Sequence, residues 1–168
     1  MHSLTYATLF VCGVHTTVDF DWWVRPLLDF DVTVIVAGKC AVSTSHYPNV
    51  VVRRVRRPLD TDRARDRAKF ALWTLSYDRV VYYDMSILVR PPDCPCLSQC
   101  TAPLCAVRDP ESGDLTTDFM VIRPSMNAYV DLATTVSGPE SVAVRDVIRW
   151  YFGKDWTALP AECNPRLV

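Results

Sequence analysis

The sequence predicts a single α/β domain with a mostly parallel central sheet, and three observations carry that expectation. Short apolar runs alternate with helical patterns along the chain, the order of elements that α/β folds require. Residues 32–37 (VTVIVA) form an unbroken, largely β-branched run, the mark of a strand buried on both faces. The length of 168 residues suits one domain and is enough to enclose a core.

Leu4 to Cys12 reads as the first strand. It lacks the basic leader of a signal peptide, and Thr5, Tyr6, Thr8 and Gly13 interrupt its apolar run. Val18 to Leu28 forms a short helix that Pro26 limits, because proline fits only a helix's first turn. Val32 to Ala37 is a strand that Gly38 ends, and Asn49 to Val55 is a further strand closed by Pro58. Asp60, Thr61 and Asp62 offer helix N-caps. From Arg63, the residues Ala64, Ala68, Ala71, Leu72 and Leu75 recur at three- and four-residue spacing, which predicts a helix ending at Tyr77 and Asp78. Arg79 to Tyr83 is a strand, with Asp84, Met85 and Ser86 directly at its carboxyl end.

Pro91 to Pro103, with four prolines and three cysteines, is a loop. Leu104 to Val107 and Phe119 to Ile122 read as strands around a polar turn containing Pro110, Ser112 and Gly113. Pro124 and Ser125 start a helix covering Tyr129, Leu132 and Ala133. Another helix runs from about Glu140 to Phe152, stopped by Gly153. The stretch after Trp156 is expected to be irregular. Strands starting near Leu4, Val32, Asn49 and Arg79 are expected to be neighbours in the sheet.

Composition narrows the function. Hydrophobic residues at 49% and charged residues at 22% match a soluble globular protein. A net charge of -1 supplies no broad positive field, which disfavours nucleic acid as a partner. No apolar run approaches the ~18 residues of a membrane span, and a cytoplasmic address follows as the expectation. The seven cysteines are odd in number, with Cys12, Cys40 and Cys163 scattered, so most thiols are expected to be reduced. Cys94, Cys96, Cys100 and Cys105 are dense, but their C-x-C-x3-C-x4-C spacing departs from the common zinc patterns and reads as a loop with free thiols. Arg53, Arg54, Arg56 and Arg57 read as a charge-guarded strand edge rather than a phosphate patch. His2, His15 and His46 show no metal-ligand spacing, and no glycine-rich phosphate loop exists.

Open α/β sheets bind ligands outside the carboxyl ends of their strands. Asp84 falls at such an end. It can meet a polar ligand there or merely cap the next turn.

The segment from Arg67 through Val89, RAKFALWTLSYDRVVYYDMSILV, resembles the core of glycogenin and its relatives in glycosyltransferase family 8. There, a basic helix leads to a strand ending in an aspartate-x-aspartate motif and an apolar tail. Phe119 to Ser125 (FMVIRPS) is similar to the family's GVFVYQPS strand, and Leu159-Pro160 with Cys163-Asn164 is similar to a later segment. The resemblance implies a Rossmann-like GT-A fold over residues 1–168, without the family's usual C-terminal part. It also implies transfer of a hexose from a UDP-sugar, with retention, to a glycan, protein or small-molecule acceptor, and it is compatible with a homodimer. The brevity and the arginine- and valine-rich composition suggest a reduced, viral version.

By the same resemblance Asp84 meets the nucleotide, Lys69 faces the diphosphate, and Arg65, one α-helical turn before Lys69, shares its face. Thr8 on the first strand and His15 after it fall on the nucleotide side. The family usually holds Mn²⁺ with the motif's outer aspartates and a later histidine. Here Ser86 replaces the second aspartate, and a hydroxyl is a poorer ligand than a carboxylate for a hard cation. No matching histidine precedes Val168. The family's aspartate-glutamine pair aligns near Val144 and Arg145, and its asparagine-serine pair near Thr116 and Thr117. Mn²⁺ is therefore expected to be held weakly, with Asp84 as its protein ligand. The alternative is a degenerate module that keeps nucleotide-sugar affinity without turnover.

Overall fold

The computed structural model describes residues 3–55, 66–87, 97, 100–135, 142–160 and 163. The strands are β1 (Leu4–Val11), β2 (Val32–Ala37), β3 (Val50–Arg54), β4 (Arg79–Tyr83), β5 (Leu104–Arg108), β6 (Leu115–Ile122) and β7 (Trp156–Ala158). They form one sheet in the order β3-β2-β1-β4-β6-β5-β7. The first four strands are neighbours and run parallel. β6 runs antiparallel to β4 and β5, and β7 returns parallel to β5. The sheet is mostly parallel, as the alternation of elements requires.

β2 is buried at all six positions, which explains why its β-branched run has no polar alternation. The helix α1 (Thr17–Val24) starts with a reciprocal cap. The Thr16 hydroxyl accepts from the Asp19 N–H at 3.3 Å, and the Asp19 carboxylate accepts from the Thr16 N–H at 2.7 Å. This satisfies two N–H groups that a helix start leaves open. Pro26 enters a following 3-10 turn, Arg25–Leu27. The helix α1 packs on the sheet face of Tyr6, Phe10, Val34 and Val81. The helices α2 (Met126–Thr135) and α3 (Val144–Phe152) cover the other face, above Leu9, Ile35, Tyr82 and Met120. Gly153 ends α3 with φ 51, and its N–H donates to Arg149 O at 2.9 Å. A β-carbon would strain that backbone.

The structure corrects several expectations. The helix expected from Arg63 lies partly outside the described residues. Within them, Arg67–Thr74 is a 3-10 helix, an unusually long run for that winding. Ala68, Lys69, Phe70, Leu72 and Trp73 are all buried, so packing on nearly every side overrides the α periodicity. The stretch after Trp156 is regular only at its start, in the strand Trp156–Ala158, and Leu159 and Pro160 are irregular as expected. Three residues are too few to show a period, yet they pair with β5, Leu104 opposite Trp156, and Arg108 lies 5.0 Å from the Trp156 ring centre. β6 begins at Leu115 rather than Phe119, beyond a register shift between Ala106 and Arg108. The last helix starts at Val144, with Glu140 outside the described residues.

The thiols are not all free either. Cys12–Cys40 and Cys100–Cys105 are disulfides with Cα separations of 5.5 and 5.9 Å, within the range a bridge needs. Cys12 and Cys40 converge only in three dimensions, at the ends of β1 and β2, whereas Cys100 and Cys105 are five residues apart at the entry to β5. Cys163 is buried. Cys94 and Cys96 lie outside the described residues. Arg53 and Arg54 stand on β3 at the sheet's edge and are exposed, while Arg56 and Arg57 lie outside the described residues. No described helix is long and apolar enough to cross a membrane.

Candidate functional site

β1 and β4 are parallel neighbours, so the residues that follow them emerge at the same carboxyl edge. Asp84 directly follows β4, and its N–H donates to Asp118 O at 2.7 Å. Ile87 N–H closes a turn onto Asp84 O at 3.0 Å. This turn aims the carboxylate across β1, toward the 3-10 helix.

There Asp84 meets Lys69. The ammonium lies 3.3 Å from Asp84 Oδ2, with the two side chains 8% and 24% exposed respectively. A second carboxylate, Asp66, lies 3.4 Å from the same ammonium. Asp66 immediately precedes the 3-10 helix, and residues three apart lie on one face in either helical winding, which places its carboxylate beside Lys69. Arg65 lies outside the described residues.

Both oxygens of Asp84 are engaged. Oδ2 also accepts from the Tyr82 hydroxyl at 3.3 Å, and Oδ1 accepts from the Ser86 N–H at 3.1 Å and hydroxyl at 3.0 Å. Burial pushes the Asp84 carboxyl up. Lys69 and the two Ser86 donors outweigh it, so the group sits below its ordinary range and stays ionised. Tyr82 is buried at 0% exposure, and burial with the Asp84 charge drives its phenol well above the usual value. Lys69 Nζ lies 5.7 Å from the centre of the Tyr82 ring, which adds a cation–π attraction.

His15 completes this corner. Its Nδ1 accepts from the Val11 N–H at 2.9 Å, and its ring packs edge-on against Phe10. That bond leaves Nε2 carrying the proton in the neutral ring. Burial holds the His15 pKa below 6.5, against the opposing pull of Asp84 and Asp19. Asp84, Asp66, Lys69 and His15 line one cleft of about 220 Å³ with Leu9, Val11 and Val14. Its polar wall holds two carboxylates, one ammonium and one neutral imidazole.

The structure thus brings together Asp84, Lys69 and His15, with Ser86 touching Asp84. Ser86 acts as a donor that fixes the carboxylate. Thr8 is corrected. It is fully buried at 0% exposure, and strand alternation turns it to the face of Tyr6 and Phe10, away from Leu9 and Val11 in the cleft. Thr117 is buried in β6, Val144 is buried in α3, and Arg145 pairs with Asp146 at 3.8 Å. None of these lines the cleft. Asp66 and Tyr82 were missed by sequence reasoning. The three-residue spacing from Asp66 to Lys69 was the available signal.

The residues do not fit a resident Mn²⁺. One Asp84 oxygen is filled by Ser86, the other faces an ammonium, and no three His, Cys, Asp or Glu side chains gather as a metal group among the described residues.

No protein-family model and no curated protein matches the chain. Solved structures do. Glycosyltransferase GlyE of Streptococcus pneumoniae TIGR4 superposes with a TM-score of 0.74 at 10% identity, over 98% of this chain and 47% of that one. Galactosyltransferase LgtC, in complex with donor and acceptor sugar analogues, gives 0.65 at 14% identity, over 92% and 72%. S. aureus TarS 1-349, in complex with UDP-GlcNAc, gives 0.51 at 10%, over 95% and 56%. The chain spans about half the length of GlyE. At such identities the likeness carries the fold alone: this chain has the mostly parallel α/β fold of the GT-A glycosyltransferases.

Proposed function

We propose that this domain binds a UDP-sugar in the Asp84 cleft and transfers its hexose, with retention, to a glycan, protein or small-molecule acceptor. The observation that carries the reading is the convergence of Asp84, Lys69 and His15 at the carboxyl edge, where sheets of this kind bind ligands. It is supported by the family-8 resemblance of the Asp84 segment and by solved neighbours that hold a donor sugar analogue or UDP-GlcNAc.

Sugar transfer breaks a bond to a diphosphate, and negative charge grows on the leaving group. In this cleft Lys69 is the group that can meet that charge, with a fixed ammonium rather than mobile solvent. Asp84 is ionised and acceptor-only, which suits a ribose or sugar hydroxyl. The His15 Nε2–H is available to donate a further hydrogen bond, and Leu9, Val11 and Val14 give the cleft an apolar side. Mn²⁺ has only a weak hold on the protein's own side chains and, where it takes part, comes with the nucleotide.

A second reading is favoured by the same geometry. Lys69 is already neutralised by Asp66 and Asp84, which lowers its power to stabilise a leaving group. On that reading the chain is a binding module without turnover. The two disulfides favour an oxidising compartment over a cytoplasmic address.

Titrating UDP by calorimetry, followed by a UDP-release assay over a panel of UDP-sugars, separates the readings. Binding with turnover supports transfer, binding alone supports the module, and no binding to either nucleotide or sugar donor sinks both.

A further inference from the structure

Metal-dependent sites grip a hard cation with carboxylates that face a common point. In this cleft the chain fills such a point itself. Asp66 comes from the start of the 3-10 helix and Asp84 from the end of β4, and both turn an oxygen to Lys69 Nζ, at 3.4 and 3.3 Å. The ammonium is tethered. Its side chain is 8% exposed, its neighbours Ala68 and Phe70 are buried, and the Tyr82 ring closes one side at 5.7 Å. A mobile surface lysine would leave the carboxylates open to solvent ions, but this one is buried and held by both of them.

We propose that Lys69 is a built-in stand-in for a divalent cation, and that Asp66 and Asp84 form a latent cation site that Lys69 keeps closed. Charge sets the logic. Two facing carboxylates repel unless one is protonated or a cation lies between them. Lys69 meets that need with a single charge, leaving the cluster at -1. Take the ammonium away and the cluster stands at -2, matched to a dication. An ammonium has three N–H donors. Two face the carboxylates, and the third remains for a phosphate oxygen. That last clause rests on the UDP reading; the closed-site claim does not.

The test uses Mn²⁺ alone, read by the loss of its free paramagnetic-resonance signal and by thermal unfolding. Wild-type protein is expected to leave the free signal unchanged and to unfold at the same temperature with or without Mn²⁺. Lys69→Met is expected to take up one Mn²⁺ at least tenfold more tightly than wild type and to gain several degrees of melting temperature from it. Adding Asp66→Asn to that variant should abolish both effects. If Lys69→Met does not fold, Lys69→Gln carries the same test with the amine replaced by a neutral amide of similar length. Mn²⁺ binding by wild type as tight as by the variant overturns the proposal, and so does a folded Lys69→Met that binds none. UDP titrations with Mn²⁺ or chelator form a separate arm. A tenfold Mn²⁺ gain in wild type also overturns the stand-in role, whereas absence of UDP binding in a protein whose Mn²⁺ results hold defeats only the nucleotide reading.

Discussion

The backbone N–H of Val11 donates to Nδ1 of His15 across 2.9 Å, tying the last residue of β1 to the imidazole that faces the cleft. Protonating that nitrogen would break the bond, and burial also disfavours the cation. The folded-state pKa therefore lies below the unfolded value of about 6.5. The unfolded chain binds more protons below that pH, so folding stability falls as pH drops. The melting temperature should decline between about pH 7 and 5, and the decline should be smaller in His15→Gln. An equal decline in both proteins would assign the effect to other groups.

Replacing Asp84 tests the centre of the cluster. Asp84→Asn leaves Lys69 with one carboxylate instead of two, and stability should fall by roughly 1–3 kcal/mol, as for a charged group deprived of a buried partner. UDP affinity should drop at least tenfold. Tyr82→Phe removes only the buried hydroxyl on Asp84 Oδ2 and should cost about 1 kcal/mol, with the UDP affinity changing less than in Asp84→Asn. Chemical denaturation and calorimetry read both.

Ser86→Asp exchanges a donor for a carboxylate beside Asp84 Oδ1, where the serine hydroxyl now sits at 3.0 Å. Without metal the added charge should weaken UDP binding. With Mn²⁺ the variant should bind UDP more tightly than wild type. A wild type that already requires Mn²⁺, with no change on substitution, would defeat this expectation.

Gly38 is the point where the ends of β1 and β2 touch. It has φ 114, and an added β-carbon would fall 2.6 Å from Cys12 Cβ. Gly38→Ala should therefore destabilise the fold and reduce the yield of the Cys12–Cys40 bridge, measured by thiol titration. Removing the bridge with Cys12→Ser and Cys40→Ser opens a loop of separation 28, which chain entropy values at about 3.6 kcal/mol. Because Cys12 leads into His15, the loss should also weaken ligand binding in the cleft, as should mild reductant.

What could be read from the sequence was what depended on near neighbours. The run of Val32–Ala37 announced a doubly buried strand, and β2 has those bounds. Asp84 could be placed at a carboxyl edge because it directly follows a strand. The features that escaped depend on distant partners. Cys12 and Cys40 meet only because β1 and β2 are parallel neighbours. Asp66 and Lys69 form an i,i+3 pair, a spacing the sequence does show, but their convergence on Asp84 depends on how the helix packs beside β4. Thr8 drew attention as a polar group in an apolar strand, but the sheet's alternation turns it inward, and composition cannot tell the two faces apart.

The two ends of the sheet have a consequence for behaviour in concentrated solution. β3 carries exposed Arg53 and Arg54 along one rim. At the other rim, β7 is three residues long, with the Arg108 guanidinium over the ring of Trp156. Open strand edges are where chains recruit one another into swapped dimers and fibrils, and charge and brevity are the usual guards. Both rims are thus poor templates for a further strand. Any assembly of this domain is therefore expected to be built from faces and loops rather than by extending the sheet.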